Sequence, residues 1–135
     1  MIRRSSLREI AVFGIIGVLA SIVHFCTALA LIEWMSVAAW IANLLGFAFA
    51  FPVSLYGHSR ATFRASAYGR DAAITAQSAR RFFTLAACGA ALNELSVVIF
   101  IEMLGYGHRE VLFLTIATVA AFLFLASKFW AFVGE

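Results

Sequence analysis

Charge is what this chain has least of. Asp, Glu, Lys and Arg make up 13% of its 135 residues, against roughly a quarter in ordinary soluble domains. So little charge cannot coat a water-soluble globule, which excludes a solvated catalytic domain. There is a single proline, so long helices can form with at most one interior break. The two cysteines, Cys26 and Cys88, have neither C-x-x-C nor metal-ligand spacing. Both read as small core residues, with no disulfide framework or zinc module. A P-loop and a serine-hydrolase elbow are missing too. No nucleophile, acid–base pair or metal set stands out, so the expectation is a protein without catalytic residues, metal or cofactor.

What the chain does have is apolar length. Hydrophobic residues make up 64% of it, and its mean hydropathy is +0.97. Four runs stand out: about 10–32, 37–56, 82–101 and 111–127. A helix crosses about 30 Å of hydrocarbon with about 20 apolar residues. The first three runs qualify, and the shorter fourth is extended by Lys128, whose ammonium can snorkel to the surface. Backbone amides in lipid must be satisfied internally, so the runs are helices. The alternating ten-residue segments of a β-barrel are missing. The fold class is therefore an all-α membrane protein with four transmembrane helices, forming a single domain over 1–135. Arg3, Arg4 and the Ala28-Leu29-Ala30 triplet give the first run some likeness to a cleaved leader. Its apolar stretch exceeds the usual 7–15 residues of such a leader, so it reads as a retained helix.

With four spans, both termini and the central loop share one side. That side holds Arg3, Arg4, Arg8, Arg60, Arg64, Arg70, Arg80, Arg81 and Lys128. Arg109 alone falls on the other side, with Glu33, Glu102 and Glu110. Short-loop Lys/Arg bias makes the basic side cytoplasmic. The pI near 9.3 then needs no nucleic-acid partner, because the cations flank membrane spans where anionic headgroups lie. The loop over about 57–81 is too small for its own core. Its segment Asp71 to Arg81 is expected as a short helix on the membrane surface.

The chain also reads as a parallel duplication of a two-helix unit. Ile32-Glu33-Trp34-Met35 closes the first run as Ile101-Glu102-Met103-Leu104 closes the third. Tyr56, Arg60 and Phe63 follow the second run as Phe124, Lys128 and Phe132 follow the fourth. Both copies would start on the same side, related by an axis along the membrane normal. Residues four apart share a helix face, so each cation sits below its aromatic at the basic boundary. An aromatic belt with snorkelling cations accounts for each pair alone.

Polar groups inside the spans are few. Glu94 is the costliest, since a charge near the bilayer centre costs at least about 2.5–3.5 kcal/mol. His24 lies at a comparable depth. The offset that carries Glu33 onto Glu102 carries His24 onto Asn93. A His24–Glu94 pair is expected either as a packing lock or as a proton-handling site. Asn43 and Asn93 read first as interhelical hydrogen-bonding groups, each worth about 0.6–2 kcal/mol. Pro52 should kink the second helix near its basic end. Gly14, Gly17 and Gly46 allow close helix approach but form no G-x-x-x-G seam.

Taken together, these stretches resemble the GtrA-like family of small four-helix membrane proteins. The resemblance rests on Ile16-Gly17-Val18-Leu19-Ala20-Ser21-Ile22-Val23-His24-Phe25 and Asn43-Leu44-Leu45-Gly46-Phe47 in the first two helices. It continues through Ser59-Arg60-Ala61-Thr62-Phe63, Arg81-Phe82, Asn93 and the closing Ser127-Lys128-Phe129-Trp130-Ala131-Phe132. Ala20 and His58-Ser59 stand where family members often carry Asn, and Glu94 departs from the family pattern. The resemblance implies translocation of polyprenyl-phosphate-linked sugars across a bacterial inner membrane for cell-surface polysaccharide synthesis. Lipid phosphate would then be bound by Arg60 and Lys128, with Arg8 and Arg81. His24, Asn43, Asn93 and Glu94 would line a polar route for the sugar. The partners expected are the sugar lipid, a membrane glycosyltransferase and a second copy of the chain in a dimer. Two other readings stay open: a proton-coupled exporter of the small multidrug type using Glu94, and a non-transporting partner of a glycosyltransferase.

Overall fold

A computed structural model describes residues 4–66 and 76–126. They form α1 (Arg4–Met35), α2 (Ala39–Ser66), α3 (Ala76–Val97) and α4 (His108–Ala126). A π-helical segment, Val98–Met103, prolongs α3. Among the described residues there is no strand. Each helix contains a stretch long and apolar enough to cross a membrane: Ala11–Met35, Ala39–Gly57, Phe83–Met103 and His108–Ala126. The protein is a multi-pass, all-α membrane protein.

Two local expectations meet the structure differently. α2 stays helical on both sides of Pro52, as proline is tolerated in membrane helices when neighbouring groups satisfy the freed carbonyl. The segment expected as a separate surface helix, Asp71 to Arg81, is not separate. From Ala76 onward it is the first part of α3, because nothing between Arg81 and Phe82 breaks the helix; residues 71–75 lie outside the described residues. Gln77, Ser78, Arg80 and Arg81 thus extend a spanning helix beyond its apolar stretch.

The helices stop through backbone geometry. Ser36 ends α1 in the left-handed region, at φ 53°. Its N–H donates to the Ile32 carbonyl at 3.2 Å, the helix-terminating pattern that usually takes glycine. Gly105, at φ 70°, does the same work after the π-helical segment. There the Leu104 N–H reaches back five residues to the Ile99 carbonyl at 3.0 Å, and the Gly105 N–H reaches the Ile101 carbonyl at 3.1 Å. The offset that carries Glu33 onto Glu102 also carries Ser36 onto Gly105, and the first residue of α2 onto the first residue of α4.

The two turns lie at one end and are clasped across the bundle. Glu33, at the end of α1, accepts hydrogen bonds from Arg109 Nε and from His108 Nε2 at the start of α4. Glu102, at the end of the π-helical segment, accepts the Ala39 N–H at the start of α2, at 3.0 Å. That bond satisfies one of the amides that a helix N-terminus leaves free. Each glutamate therefore reaches the second helix of the opposite half of the chain. Trp34, Trp40 and Tyr106 are exposed at this end, where amphipathic rings favour the membrane interface.

Neighbour contacts close a ring: α1 with α2, α2 with α3, α3 with α4 and α4 with α1. α1 and α2 form the closest pair. Lipid offers no hydrophobic drive between helices, so close packing has to supply the association. A Cβ on Gly46 would stand 2.6 Å from His24 Cδ2 and 2.7 Å from the His24 carbonyl oxygen, so only glycine lets the two backbones approach this far. The core joins all four helices through Ala28, Ala39, Val97, Leu112 and Ile116, with Phe25, Ile32 and Ile101 against it. Rings of α1 meet rings of α4 edge-on at Phe25–Phe113 and tilted at Phe13–Phe124. Ile15, Val18, Leu19, Phe49, Leu92 and Phe122 point outward, as lipid-facing side chains do.

Candidate functional site: a polar cluster between three helices

Buried positions repeat every three or four residues on each helix, the spacing of one helical face. On α2 they are Ala39, Ala42, Asn43, Gly46 and Ala50; on α3 they are Gly89, Asn93 and Val97; on α1, His24 and Ala28. Three of these inward positions are polar: Asn43, Asn93 and His24 are 2%, 4% and 6% exposed. They meet in the bundle together with Glu94. At a rise of 1.5 Å per residue, Glu94 lies about 16 Å from Phe83 and about 14 Å from Met103, near the middle of its span.

The hydrogen bonds form a chain across three helices. Asn43 Nδ2 donates to Glu94 Oε2 at 2.7 Å. That bond fixes which way the amide points, because only the NH2 group can face a carboxylate. Asn43 Oδ1 is thereby turned to His24 Nε2, 2.9 Å away, and the Asn43 backbone carbonyl lies 3.1 Å from the same nitrogen. Both contacts are acceptors, so His24 Nε2 carries a proton and donates. Glu94 on α3 thus sets the amide orientation on α2, which sets the tautomer on α1. His24 and Glu94 belong to one network, and Asn43 bridges them rather than the two meeting directly.

Two acceptors are left over. Asn93 Oδ1 and Glu94 Oε1 are buried without a hydrogen-bond partner. Buried polar atoms are almost always paired, and leaving one unpaired costs about 1–3 kcal/mol. The offset that pairs Glu33 with Glu102 bears on Asn93 alone. It sets Asn93 in the place of His24, but sets Leu112 in the place of Asn43. Leu112, fully buried, offers nothing to bond. The two free oxygens belong to residues lining a small cavity of about 30 Å³, shared with His24, Asn43 and Phe47. That is room for a group the size of a water molecule. Phe47 was not singled out from the sequence, although its place four residues after Asn43 sets it on the same face. Among the described residues there is no group of three His, Cys, Asp or Glu that could hold a metal ion.

Three of the four cations expected at the phosphate sit elsewhere. Arg8, Arg60 and Arg81 belong to the ends of α1, α2 and α3 remote from the Glu33–Arg109 clasp. Lys128 lies outside the described residues. From Asn43 to Arg60 the α2 axis runs about 25 Å, so the polar cluster and the basic end are separate places. The clasp made by Glu33 and Glu102 was visible in the sequence only as a repeated Ile-Glu pair.

A ring of four spanning helices with a polar, under-satisfied centre defines a small membrane bundle, built around its interior rather than around a soluble domain. The family model described as GtrA/DPMS, transmembrane domain matches residues 12–132, and the chain belongs to that family. Membership associates it with the handling of polyprenyl-phosphate-linked sugars. No curated protein and no solved structure matches it.

Proposed function

We propose that this protein carries polyprenyl-phosphate-linked sugars across the bacterial inner membrane for cell-surface polysaccharide synthesis, with its basic end in the cytoplasm. One observation carries the reading: a chain of this family holds unpaired polar oxygens in a cavity at mid-span. A sugar crossing hydrocarbon loses its water, and each hydroxyl left unpaired costs about 1–3 kcal/mol. Acceptors at mid-span lower that barrier while the polyprenyl tail stays in lipid.

In this reading Arg60 and Lys128, with Arg8 and Arg81, capture the phosphate at the basic end. The separation of about 25 Å along α2 is too long for one monosaccharide to bridge. Loading and passage are therefore successive steps. The cavity admits only a water-sized group, so passage of a whole sugar ring requires the helices to part. α2 and α3 meet more sparsely than α1 and α2, which makes their seam the natural place to open.

The duplicated architecture belongs to the same proposal. Matching left-handed residues, helix starts and crossed glutamates at one offset support two copies of a two-helix unit. Two equivalent halves can exchange roles as the cargo moves from one face to the other.

The test is translocation in proteoliposomes, read as exposure of the headgroup to an oxidant that cannot cross. The native protein should move polyprenyl-phosphate glucose. An Arg60→Ala, Lys128→Ala variant should insert and fold yet lose transport by tenfold or more. Normal transport by that variant refutes the phosphate assignment. No transport by the native protein, together with co-purification of a glycosyltransferase, would make it a membrane partner instead.

A further inference from the structure

The proposed function leaves open which headgroup the mid-span cavity suits. The atoms that line it narrow the choice. Its two free polar atoms, Asn93 Oδ1 and Glu94 Oε1, are both acceptors. His24 Nε2 is committed to Asn43 and one Asn43 Nδ2 hydrogen to Glu94, and neither reaches the two free oxygens. An occupant that pairs both oxygens brings donors of its own. Glu94 is also the sole acidic residue lining the cavity, and no Lys or Arg lines it. α4 carries no titratable side chain from Val111 to Ala126, and on α2 between Ala39 and Gly57 the one such group is Tyr56, near the far end. On α1 the titratable group at the cavity is His24, joined to Glu94 only through Asn43, so no Lys or Arg of the lining meets the carboxylate.

We propose that the cavity is a subsite for a primary ammonium group, so that the preferred cargo is a lipid-linked amino sugar with its amine free. This rests on the carrier reading above and names its substrate class. A water molecule and a neutral hydroxyl fit the space, but an ammonium meets three needs at once. It is about the size of water, in a cavity of about 30 Å³. It donates up to three hydrogen bonds, enough for both unpaired oxygens. Its charge compensates the carboxylate in a low-dielectric interior, where charge-assisted bonds are roughly twice as strong as neutral ones. Phe47 adds an aromatic wall, a surface cations favour over bare hydrocarbon. Acetylation of the amine removes the charge and adds bulk the cavity cannot hold. An acidic sugar would meet Glu94 as a like charge.

The geometry also says when the contact forms. The cavity is about 25 Å along α2 from Arg60, so the amine is held during passage and not while the phosphate is loaded. Selectivity should then appear in the rate of translocation more than in first binding to the basic end.

The experiment compares three polyprenyl-phosphate lipids in proteoliposomes, carrying glucosamine, N-acetylglucosamine or glucose. The native protein should move the glucosamine lipid about tenfold faster than the glucose lipid, and the acetylated lipid no faster than glucose. In Glu94→Gln the ratio of glucosamine to glucose rates should fall to about one. Asn93→Leu, which removes the other free oxygen, should lower the ratio severalfold and gives a second reading if Glu94→Gln does not fold. Equal rates for glucosamine and glucose in the native protein overturn the amine subsite and leave the carrier reading standing. So does a ratio that survives Glu94→Gln. Failure to move any of the three lipids overturns both.

Discussion

Replacing Asn43 by alanine tests the polar cluster directly. The substitution deletes two side-chain bonds, from His24 Nε2 to Oδ1 and from Nδ2 to Glu94 Oε2. The bond from His24 to the Asn43 backbone carbonyl survives. Interhelical hydrogen bonds inside membranes average about 0.6 kcal/mol and reach about 1.7 kcal/mol. Two of them give about 1–3 kcal/mol, and the bond to a carboxylate belongs at the upper end of the range. The position is 2% exposed, so neither lipid nor water can replace the amide without rearrangement. The expected loss is about 2 kcal/mol, measured by unfolding the protein from mild detergent with increasing SDS. A cycle with Glu94→Gln should return a coupling of about 0.5–1.5 kcal/mol, as contacting residues do, whereas distant pairs add within about 0.3–0.5 kcal/mol. An Asn43→Ala protein as stable as its parent, or a coupling near zero, would show that the chain of bonds from α1 to α3 does not hold the bundle together.

Two further substitutions probe the backbone. Gly46→Ala forces a methyl against the His24 ring and carbonyl; it should cost about 1–3 kcal/mol as overpacking does, outweighing the gain of up to about 1 kcal/mol in helix propensity. Gly17→Ala, with nothing within 4 Å of the new Cβ, should be neutral or stabilising in the same unfolding titration, and a loss equal to that of Gly46→Ala would contradict the packing argument. Ser36→Gly relieves a left-handed serine at φ 53° and should stabilise by about 0.5–1 kcal/mol once the added freedom of the unfolded glycine is offset; destabilisation would mean that the serine side chain does more than end the helix.

Much of the protein was legible in its sequence. A chain with 13% charge and four apolar runs has one physical solution in lipid, because unsatisfied amides cost too much outside a helix. His24, Asn43, Asn93 and Glu94 stood out for the same reason: polar groups are expensive in a membrane and are kept only where something meets them. Their partners were not legible. Whether His24 meets Glu94 directly or through Asn43 depends on how α1 sits on α2, which Gly46 decides through the absence of one carbon atom. The surface helix expected before Phe82 failed because composition marks the edge of the bilayer, whereas backbone propensity lets the helix run past it.

The sequence by itself determined that this is a helical membrane protein, how many times it crosses, and which side chains bear the cost of burial. These follow from one-dimensional quantities: the length of an apolar run and the free energy of moving a group into hydrocarbon. Tertiary structure alone decided that two acceptor oxygens, Asn93 Oδ1 and Glu94 Oε1, remain unpaired beside a water-sized cavity. It also decided that Glu33 and Glu102 bind across the bundle rather than within their own halves. Pairing is a matter of direction and distance in three dimensions, and hydropathy along a chain carries neither.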